Sequence, residues 1–223
     1  LHLFGSAGFF PVNLKVTNAF GCVDSVSKLV KIDTIPFVNF STNNVCLGNT
    51  NIFSDLSFTT GANISSWYWN FGDGNVDSIQ NPQYTYLNSG TFNVSLSATK
   101  SNGCSNDTAI SILVHKLPVP DFLLNSVCVN NVLTFFGNDT VSQAIKWLWN
   151  FGDGSTDTLQ NPNHTYLNSG NYNIQLHVSD TNLCEADTLK SVFISPLPLA
   201  NFIYDTNCLG NAIIFTDNST DSS

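Results

Sequence analysis

Charge is scarce in this 223-residue chain, and one kind of positive residue is missing. The sequence has no arginine and no methionine, only 10% charged residues, and a formal net charge of −9. An acidic chain without arginine is a poor partner for nucleic acid or an anionic membrane surface, so we expect neither partner. No apolar run approaches the roughly 18 residues of a membrane-spanning helix, so we expect no membrane insertion in this segment.

The signatures of common catalytic and metal sites are absent as well. The chain contains no H-E-x-x-H, C-x-x-C or G-x-S-x-G motif and no glycine-rich phosphate loop. His115 and His177 are solitary in the sequence. Without a pair of poised reactive groups we do not expect an enzyme, and we expect no cofactor.

What the chain does contain is a long internal repeat. Residues 69–74 read W-N-F-G-D-G, and the same six letters return at 149–154, eighty residues later. The alternation of apolar residues before and within each copy predicts a strand with one buried face. We therefore assign Trp69, Phe71, Trp149 and Phe151 to sandwich cores, and not to a platform for stacking sugars. Tyr68 and Leu148, on the other face, differ between the copies, which argues against a shared ligand there.

The Asp-Gly pairs end these strands. Glycine accepts a positive φ without strain, so Asp73-Gly74 and Asp153-Gly154 predict tight reversals. We assign the aspartates to turn geometry, in which the carboxylate accepts a bond from nearby backbone. An aromatic position follows each turn: it holds Tyr84 in one copy and His164 in the other, and His2 falls at the same place. A histidine that alternates with tyrosine indicates a packing ring and not a metal ligand.

This order of motifs resembles the PKD domain, an immunoglobulin-like module. The family pattern runs W-x-F-G-D-G, then N-P-x-H-x-Y, then G-x-Y-x-V-x-L, and both copies match it almost throughout. The resemblance implies an all-β chain of tandem immunoglobulin-like antiparallel β-sandwiches. Because the junctions are short and contain proline, we expect the sandwiches to stand end to end in an elongated rod.

Matching positions give the predicted domain boundaries. Residues 36–117 and 118–197 are predicted to be complete domains, residues 1–35 the last part of a repeat, and residues 198–223 the first part of another. Since the chain is out of phase with its repeat at both ends, we expect a longer parent protein with more copies.

The resemblance also implies a function outside the cell. PKD arrays with paired cysteines look like the large surface adhesins of Bacteroidota, which are exported by the type IX pathway and can serve gliding or attachment. We therefore expect an extracellular stalk or adhesin whose partners are neighbouring repeats, and surface glycans or other cells. The alternative is a spacer within a secreted hydrolase. A third class, a eukaryotic receptor ectodomain, would carry complex N-glycans at sites such as Asn63.

The six cysteines fall at two recurring places, which are expected to lie at opposite ends of a sandwich. A bridge within one domain would then span about a strand length, far beyond the roughly 7 Å Cα limit. We therefore favour Cys46–Cys184 as a staple across the junction, and pairing of the other four with repeats outside this segment. Cys46–Cys104 and Cys128–Cys184 remain the alternative if the first strand folds back early.

Two further kinds of site are predicted. The tripeptide Asp-Ser/Thr-apolar occurs seven times, where chance would give roughly one or two. It looks like the acceptor for protein O-glycosylation in Bacteroidota. The alternative is that Asp and Thr only form turns and strand starts, which recur because the repeats are copies of one another. The candidate hydroxyls, of which Thr108, Thr188, Ser78 and Thr158 are favoured because both complete repeats carry them, are Ser25, Thr34, Ser78, Thr108, Thr140, Thr158 and Thr188. A calcium ion at a junction, bound through Asp33 or Asp121, is the less favoured possibility.

Overall fold

The computed structural model of the protein describes residues 1–124, 127–141 and 143–221. All regular elements in these ranges are β-strands, and they form tandem antiparallel sandwiches of immunoglobulin type, which confirms the predicted fold class. The chain divides into two compact units, Leu1–His115 and Lys116–Ser223. The described part contains no helix that is long and apolar enough to cross a membrane.

The first unit contains a hairpin followed by one complete sandwich. The hairpin pairs β1 with β2, which are Gly8–Thr17 and Val23–Ile32. The strands of the sandwich are β3 (Phe40–Ser41), β4 (Val45–Cys46), β5 (Thr50–Ile52), β6 (Ser54–Asp55), β7 (Ile64–Asn70), β8 (Val76–Asp77), β9 (Gln83–Thr85), β10 (Gly90–Lys100) and β11 (Ser105–His115). One sheet has the order β4-β11-β10-β7-β8, and the short pairs β3-β6 and β5-β9 form the other layer.

The second unit repeats this plan in its own sandwich and then begins another. Its strands are β12 (Pro120–Leu124), β13 (Leu133–Asp139), β14 (Ala144–Asn150), β15 (Thr156–Asp157), β16 (Asn163–His164), β17 (Gly170–Asp180), β18 (Glu185–Ile194), β19 (Phe202–Tyr204) and β20 (Phe215–Asp217). One sheet has the order β15-β14-β17-β18, the other β12-β13-β16, and β19 pairs with β20. The register shifts near the start of β7 and of β14, at the same place in the two copies.

Each sandwich encloses a core built from alternate residues of its strands. β10 and β17 supply three fully buried apolar side chains each, at every second position, as their period of two predicted. The buried core residues of the first sandwich are Val38, Phe40, Val45, Phe53, Trp69, Phe71, Tyr86, Val94, Leu96, Ala98, Ile112 and Val114. Those of the second are Phe122, Val129, Leu133, Phe135, Trp149, Phe151, Tyr166, Ile174, Leu176, Val178 and Ile194.

Candidate functional site

The two tryptophans of the repeated motif lie at the centres of the sandwiches. Trp69 and Trp149 are completely buried, and each indole ring contacts two phenylalanine rings of the facing sheet. Each indole N–H donates to a main-chain carbonyl 2.9 Å away, that of Ile79 or of Leu159. The bond ties the loop that follows the Asp-Gly turn to the core. These side chains are therefore not available to stack on a ligand.

The phenylalanines of the motif support the aromatic position that follows each turn. Phe71 stacks on Tyr84 with ring centres 4.1 Å apart, and Phe151 stacks on His164 at 4.2 Å. The interplanar angles are 5° and 8°, so tyrosine and histidine lie in the same way on the ring below. The geometry accounts for the exchange of the two residue types between copies: the position requires a flat ring with a polar edge.

That polar edge reaches the aspartate of the turn. Asp73 Oδ1 accepts a hydrogen bond from the main-chain amide of Asn75 at 3.1 Å, and Oδ2 accepts one from the Tyr84 hydroxyl at 2.6 Å. In the second copy Asp153 Oδ1 accepts the Ser155 amide at 3.0 Å, and Oδ2 lies 2.8 Å from His164 Nε2. The carboxylates thus join a turn to a core-anchored ring.

The same contacts set the charge state of the two aspartates. Burial raises the pKa of Asp73, but hydrogen bonds from the Tyr84 hydroxyl and from Asn75 outweigh it and hold that pKa below the usual value. Burial likewise opposes ionisation of Asp153, and donation by Ser155 and His164 lowers its pKa overall. Both carboxylates are therefore ionised acceptors at neutral pH, which suits a structural bond and not proton transfer.

Ser155, His164 and Asp153 have the residue types of a hydrolase triad, but not its geometry. A triad needs the histidine to bond the serine through one ring nitrogen and the acid through the other. Here the same nitrogen, His164 Nε2, lies 2.8 Å from Asp153 Oδ2 and 3.4 Å from Ser155 Oγ. The serine hydroxyl donates instead to Asp153 Oδ1 at 2.5 Å. The first copy forms the same cluster with Asn75, so the arrangement stabilises a turn.

A second polar cluster lies on the outer face of the second sandwich. His177 Nδ1 is 3.1 Å from Asp187 Oδ1, Gln175 donates to the same oxygen at 3.1 Å, and Glu185 lies 4.0 Å from His177 Nε2. The group borders an open groove of about 400 Å³ beside Leu148. His177 is solitary in the sequence, but in the fold it lies beside Asp187 and Glu185. Its partners follow from strand register, since His177 pairs directly with Asp187 across β17 and β18.

The two candidate calcium ligands each contact a lysine. Asp33 Oδ1 lies 3.3 Å from the buried ammonium of Lys100, and Asp121 Oδ1 lies 2.5 Å from the ammonium of Lys190, whose side chain is partly exposed. Within the described ranges, no group of three or more His, Cys, Asp or Glu side chains is placed to hold a metal ion. A calcium ion at either aspartate would therefore have to displace an ammonium group that is already bound.

The cysteines occupy opposite ends of each sandwich. Cys46 pairs with His115 at the end of β11, whereas Cys104 directly precedes the first residue of that strand. The 11 residues of β11 separate those ends by roughly 36 Å. Cys46 and Cys184 are disulfide-bonded, and both are buried. The described cysteines with free thiols are Cys22, Cys104, Cys128 and Cys208, so neither bridge of the alternative pairing is formed.

The candidate O-glycosylation hydroxyls differ in access. Ser78 and Thr158 are exposed, directly after β8 and β15, and the preceding aspartates accept the amides of Ile79 and Leu159. Thr108 and Thr188 lie within β11 and β18, the last strands of the two sandwiches. They pair with the buried Leu96 and Leu176, so they face inward and are half-buried. The other three candidates are Ser25 and Thr140, which are exposed, and Thr34, which is half-buried.

Comparison with known proteins agrees with this geometry. The sequence profile described as PKD domain matches residues 33–114 and 115–193. Collagenase ColA of Bacillus cereus is 32% identical over 102 residues, which cover 42% of this chain and 11% of the relative. The microbial collagenase of Vibrio alginolyticus is 39% identical over 59 residues, or 26% of this chain and 7% of the relative. The chain thus spans about a tenth or less of the length of these curated relatives.

Solved structures with similarity include two isolated PKD domains. The PKD1 domain of Vibrio anguillarum Epp is 26% identical, with a TM-score of 0.36, and covers 38% of this chain and 99% of its own. The PKD1 domain of the Vibrio cholerae metalloprotease PrtV is also 26% identical, with a TM-score of 0.35, and covers 37% and 99%. Because the PKD profile matches two adjacent segments that together exceed half of the sequence, the chain belongs to the PKD domain family as a tandem array.

Proposed function

We propose that this chain is a load-bearing spacer in the stalk of a large extracellular adhesin. PKD domains are non-catalytic modules, so the chain itself has a structural role. The observation that supports the finer proposal is how the repeated polar groups are used. In both copies the aspartate, the aromatic ring and the core tryptophan bond one another or the backbone. The polar groups that the two repeats share therefore stabilise the sandwich fold.

The proposed setting is the outside of a bacterial cell. PKD domains occur in secreted or surface proteins such as the collagenases to which this chain is similar. The resemblance to Bacteroidota adhesins supports export by the type IX pathway and a role in gliding or attachment. In this setting the partners of the segment are neighbouring repeats, and surface glycans or other cells are the targets of the whole protein.

A disulfide between Cys46 and Cys184 is part of this proposal. Both residues are disulfide-bonded, and Cys104 and Cys128 carry free thiols. Such a bond would join one repeat to the next and would carry tension past the sandwich cores. The free thiols of Cys104 and Cys22 would pair with earlier repeats, and those of Cys128 and Cys208 with later ones. Non-reduced peptide mapping tests the pairing, and a peptide joining Cys46 to any other cysteine would overturn it.

We also propose that the array carries O-linked sugars, foremost on Ser78 and Thr158. Both hydroxyls are exposed, both follow an aspartate that shapes a turn, and both complete repeats carry them. Thr108 and Thr188 are weaker acceptors than the sequence indicated, because they are half-buried within a sheet. A sugar coat would hydrate a chain that has few charges. Intact mass of protein from its native cell tests this, and the mass of the bare polypeptide would rule it out.

The alternative function is a spacer in a secreted hydrolase. It is supported by the curated relatives, which are collagenases, although the chain covers only a small part of each. Surface labelling of native cells with an antibody to this segment separates the two functions. The stalk proposal predicts labelled intact cells and loss of attachment when the repeats are deleted. Release of the protein into the medium with a catalytic module, and unchanged attachment, would favour the hydrolase.

A further inference from the structure

A fully buried lysine, Lys100, is the last residue of β10 in the first complete sandwich. The side chain of Lys100 has no exposed surface. Its ammonium donates to Thr34 O at 2.9 Å and to Thr60 O at 3.0 Å, and it lies 3.3 Å from both Asp33 Oδ1 and Thr34 Oγ1. A buried ammonium is tolerated only where such acceptors surround it. Three of its four partners belong to the dipeptide that follows β2.

Other contacts hold the same dipeptide. Asp33 Oδ2 accepts the Asn102 side-chain amide at 2.6 Å, and the Thr34 hydroxyl lies 3.1 Å from that of Thr60. Two residues further on, the carbonyl of Pro36 accepts the side-chain amide of Asn106 at 3.1 Å. Two segments of the sandwich, the loop before β7 and the β10–β11 turn, therefore bind Asp33 and Thr34, and the start of β11 binds Pro36, which follows them.

The corresponding positions in the other copies hold different residues. Each copy has the same turn, in which a main-chain amide donates to the carbonyl of the following cysteine: Asn18 to Cys22, Lys100 to Cys104 and Asp180 to Cys184. Asn18 and Asp180 direct their side-chain oxygens back into their own turns, where each accepts two main-chain amides. Lysine has no acceptor for those amides, and its ammonium binds the entering segment at Asp33 and Thr34 instead.

We propose that this end of the sandwich is a docking site for the segment of chain that enters it, and that Lys100 selects the dipeptide Asp-Thr in that segment. The residue at position 100 would then determine which entering segment a repeat accepts. Lysine accepts an acidic end, whereas the aspartate found at position 180 would repel one. The inference goes beyond the proposed stalk function and holds whether the array belongs to an adhesin or to a hydrolase.

Hydrogen exchange of the complete 223-residue chain, followed by mass spectrometry, tests the proposal. The readout is the exchange rate of residues 33–37, with the amides of β10 as an internal reference for folding. Lys100→Asn removes the ammonium and supplies the residue that caps the equivalent turn at Asn18, so the sandwich should fold. We expect exchange in the junction to become roughly tenfold faster or more, because Asp33 loses its buried partner.

Charge specificity is tested by a second set of variants. Lys100→Asp should accelerate exchange more than Lys100→Asn, and adding Asp33→Asn to Lys100→Asp should return the rate to the level of Lys100→Asn. The matched control is Lys31→Asn, which removes an exposed lysine 3.7 Å from the same carboxylate and should leave the rate unchanged. The proposal is overturned if Lys100→Asn matches the parent, if Lys100→Asp is no faster than Lys100→Asn, or if Asp33→Asn brings no relief.

Discussion

Among the described residues, Trp69 and Trp149 have the largest side chains that are completely buried. Trp149 is completely buried and lies 5.2 Å from the ring of Phe122 and 5.4 Å from that of Phe135. Replacing Trp149 by alanine removes these contacts and leaves a cavity, which should cost about 3–5 kcal/mol of unfolding free energy. Denaturant unfolding of the second repeat measures this loss.

The neighbouring Leu148 is the matched control for that substitution. Its side chain is 47% exposed on the outer face of the same strand. Leu148→Ala should therefore change the unfolding free energy by no more than about 0.5 kcal/mol. If Trp149→Ala unfolds at the same denaturant concentration as the parent, the assignment of this residue to the core centre is wrong.

A polar pair in the first sandwich, the half-buried Thr42 and the buried Asn51, leaves a buried donor unpaired. Asn51 is fully buried; its carbonyl accepts the Thr42 hydroxyl at 2.7 Å, and its amide nitrogen has no hydrogen-bond partner. The equivalent positions of the second repeat hold Leu124 and Leu133. Since an unpaired buried donor costs about 1–3 kcal/mol, Thr42→Leu combined with Asn51→Leu should stabilise the first repeat by about that amount.

The melting temperatures of the double leucine variant and of a single Thr42→Ala variant test this prediction. Thr42→Ala alone removes the hydroxyl that donates to the side-chain carbonyl of Asn51 and should destabilise the repeat. If the double leucine variant is less stable than the parent, the pair of Thr42 and Asn51 stabilises the first repeat and the prediction is wrong.

At the scale of elements, the Asp-Gly turns link stability to pH. An unfolded aspartate titrates near ~3.9, and the pKa values of Asp73 and Asp153 lie below their usual range in the folded protein. The stability that each carboxylate contributes is therefore fully present above about pH 4 and is lost as the pH falls through the folded pKa. We expect the melting temperature to decrease in that acidic range.

Substitutions at the turns check the origin of this decrease. Asp73→Asn and Asp153→Asn should lower the melting temperature at pH 7 and flatten its acidic decline, because neither amide can ionise. Tyr84→Phe, which removes one donor to Asp73, should have a weaker effect of the same sign. A decline of equal steepness in the two Asp→Asn variants would assign the acid sensitivity to other groups.

The two glycines of each turn differ in the space that is available for a side chain. Gly72 and Gly74 both have positive φ, +82° and +98°. A Cβ on Gly72 would lie 2.7 Å from the Asn93 carbonyl oxygen, whereas one on Gly74 meets nothing within 4 Å. Gly74→Ala should therefore cost about 1–2 kcal/mol for its conformation alone, and Gly72→Ala should cost more because β10 must move as well. Equal unfolding free energies for the two variants would contradict the close approach.

The features predicted from sequence are those that depend on neighbours along one strand. The core faces of Trp69 and Trp149 followed from a period of two, and the turns followed from Asp-Gly. Lys100 and Asp33 are in contact although they are 67 positions apart in the sequence. The pairing of His177 with Asp187 can be found only when the strand register is known. The inward orientation of Thr108 was missed for the same reason. Motif spacing gives the elements, but contacts between distant segments depend on how those elements pair.

At the scale of the whole molecule, we propose that the repeats transmit tension. Each sandwich contains long strands, such as the 11-residue β10 and β17, which run along most of its length. The elongated rod remains a prediction that small-angle scattering can test, and a compact profile would refute it. If Cys46 is bonded to Cys184, a force on the chain ends passes through that bond and bypasses the residues between the two cysteines.

Single-molecule stretching of the chain under oxidising and reducing conditions tests this claim most directly. With the disulfide intact, we predict that the segment between Cys46 and Cys184 does not extend, so full unfolding events of the two repeats are absent. After reduction, two events should appear, each releasing about 25 nm of contour length. Two such events of the same length under both conditions would contradict the account.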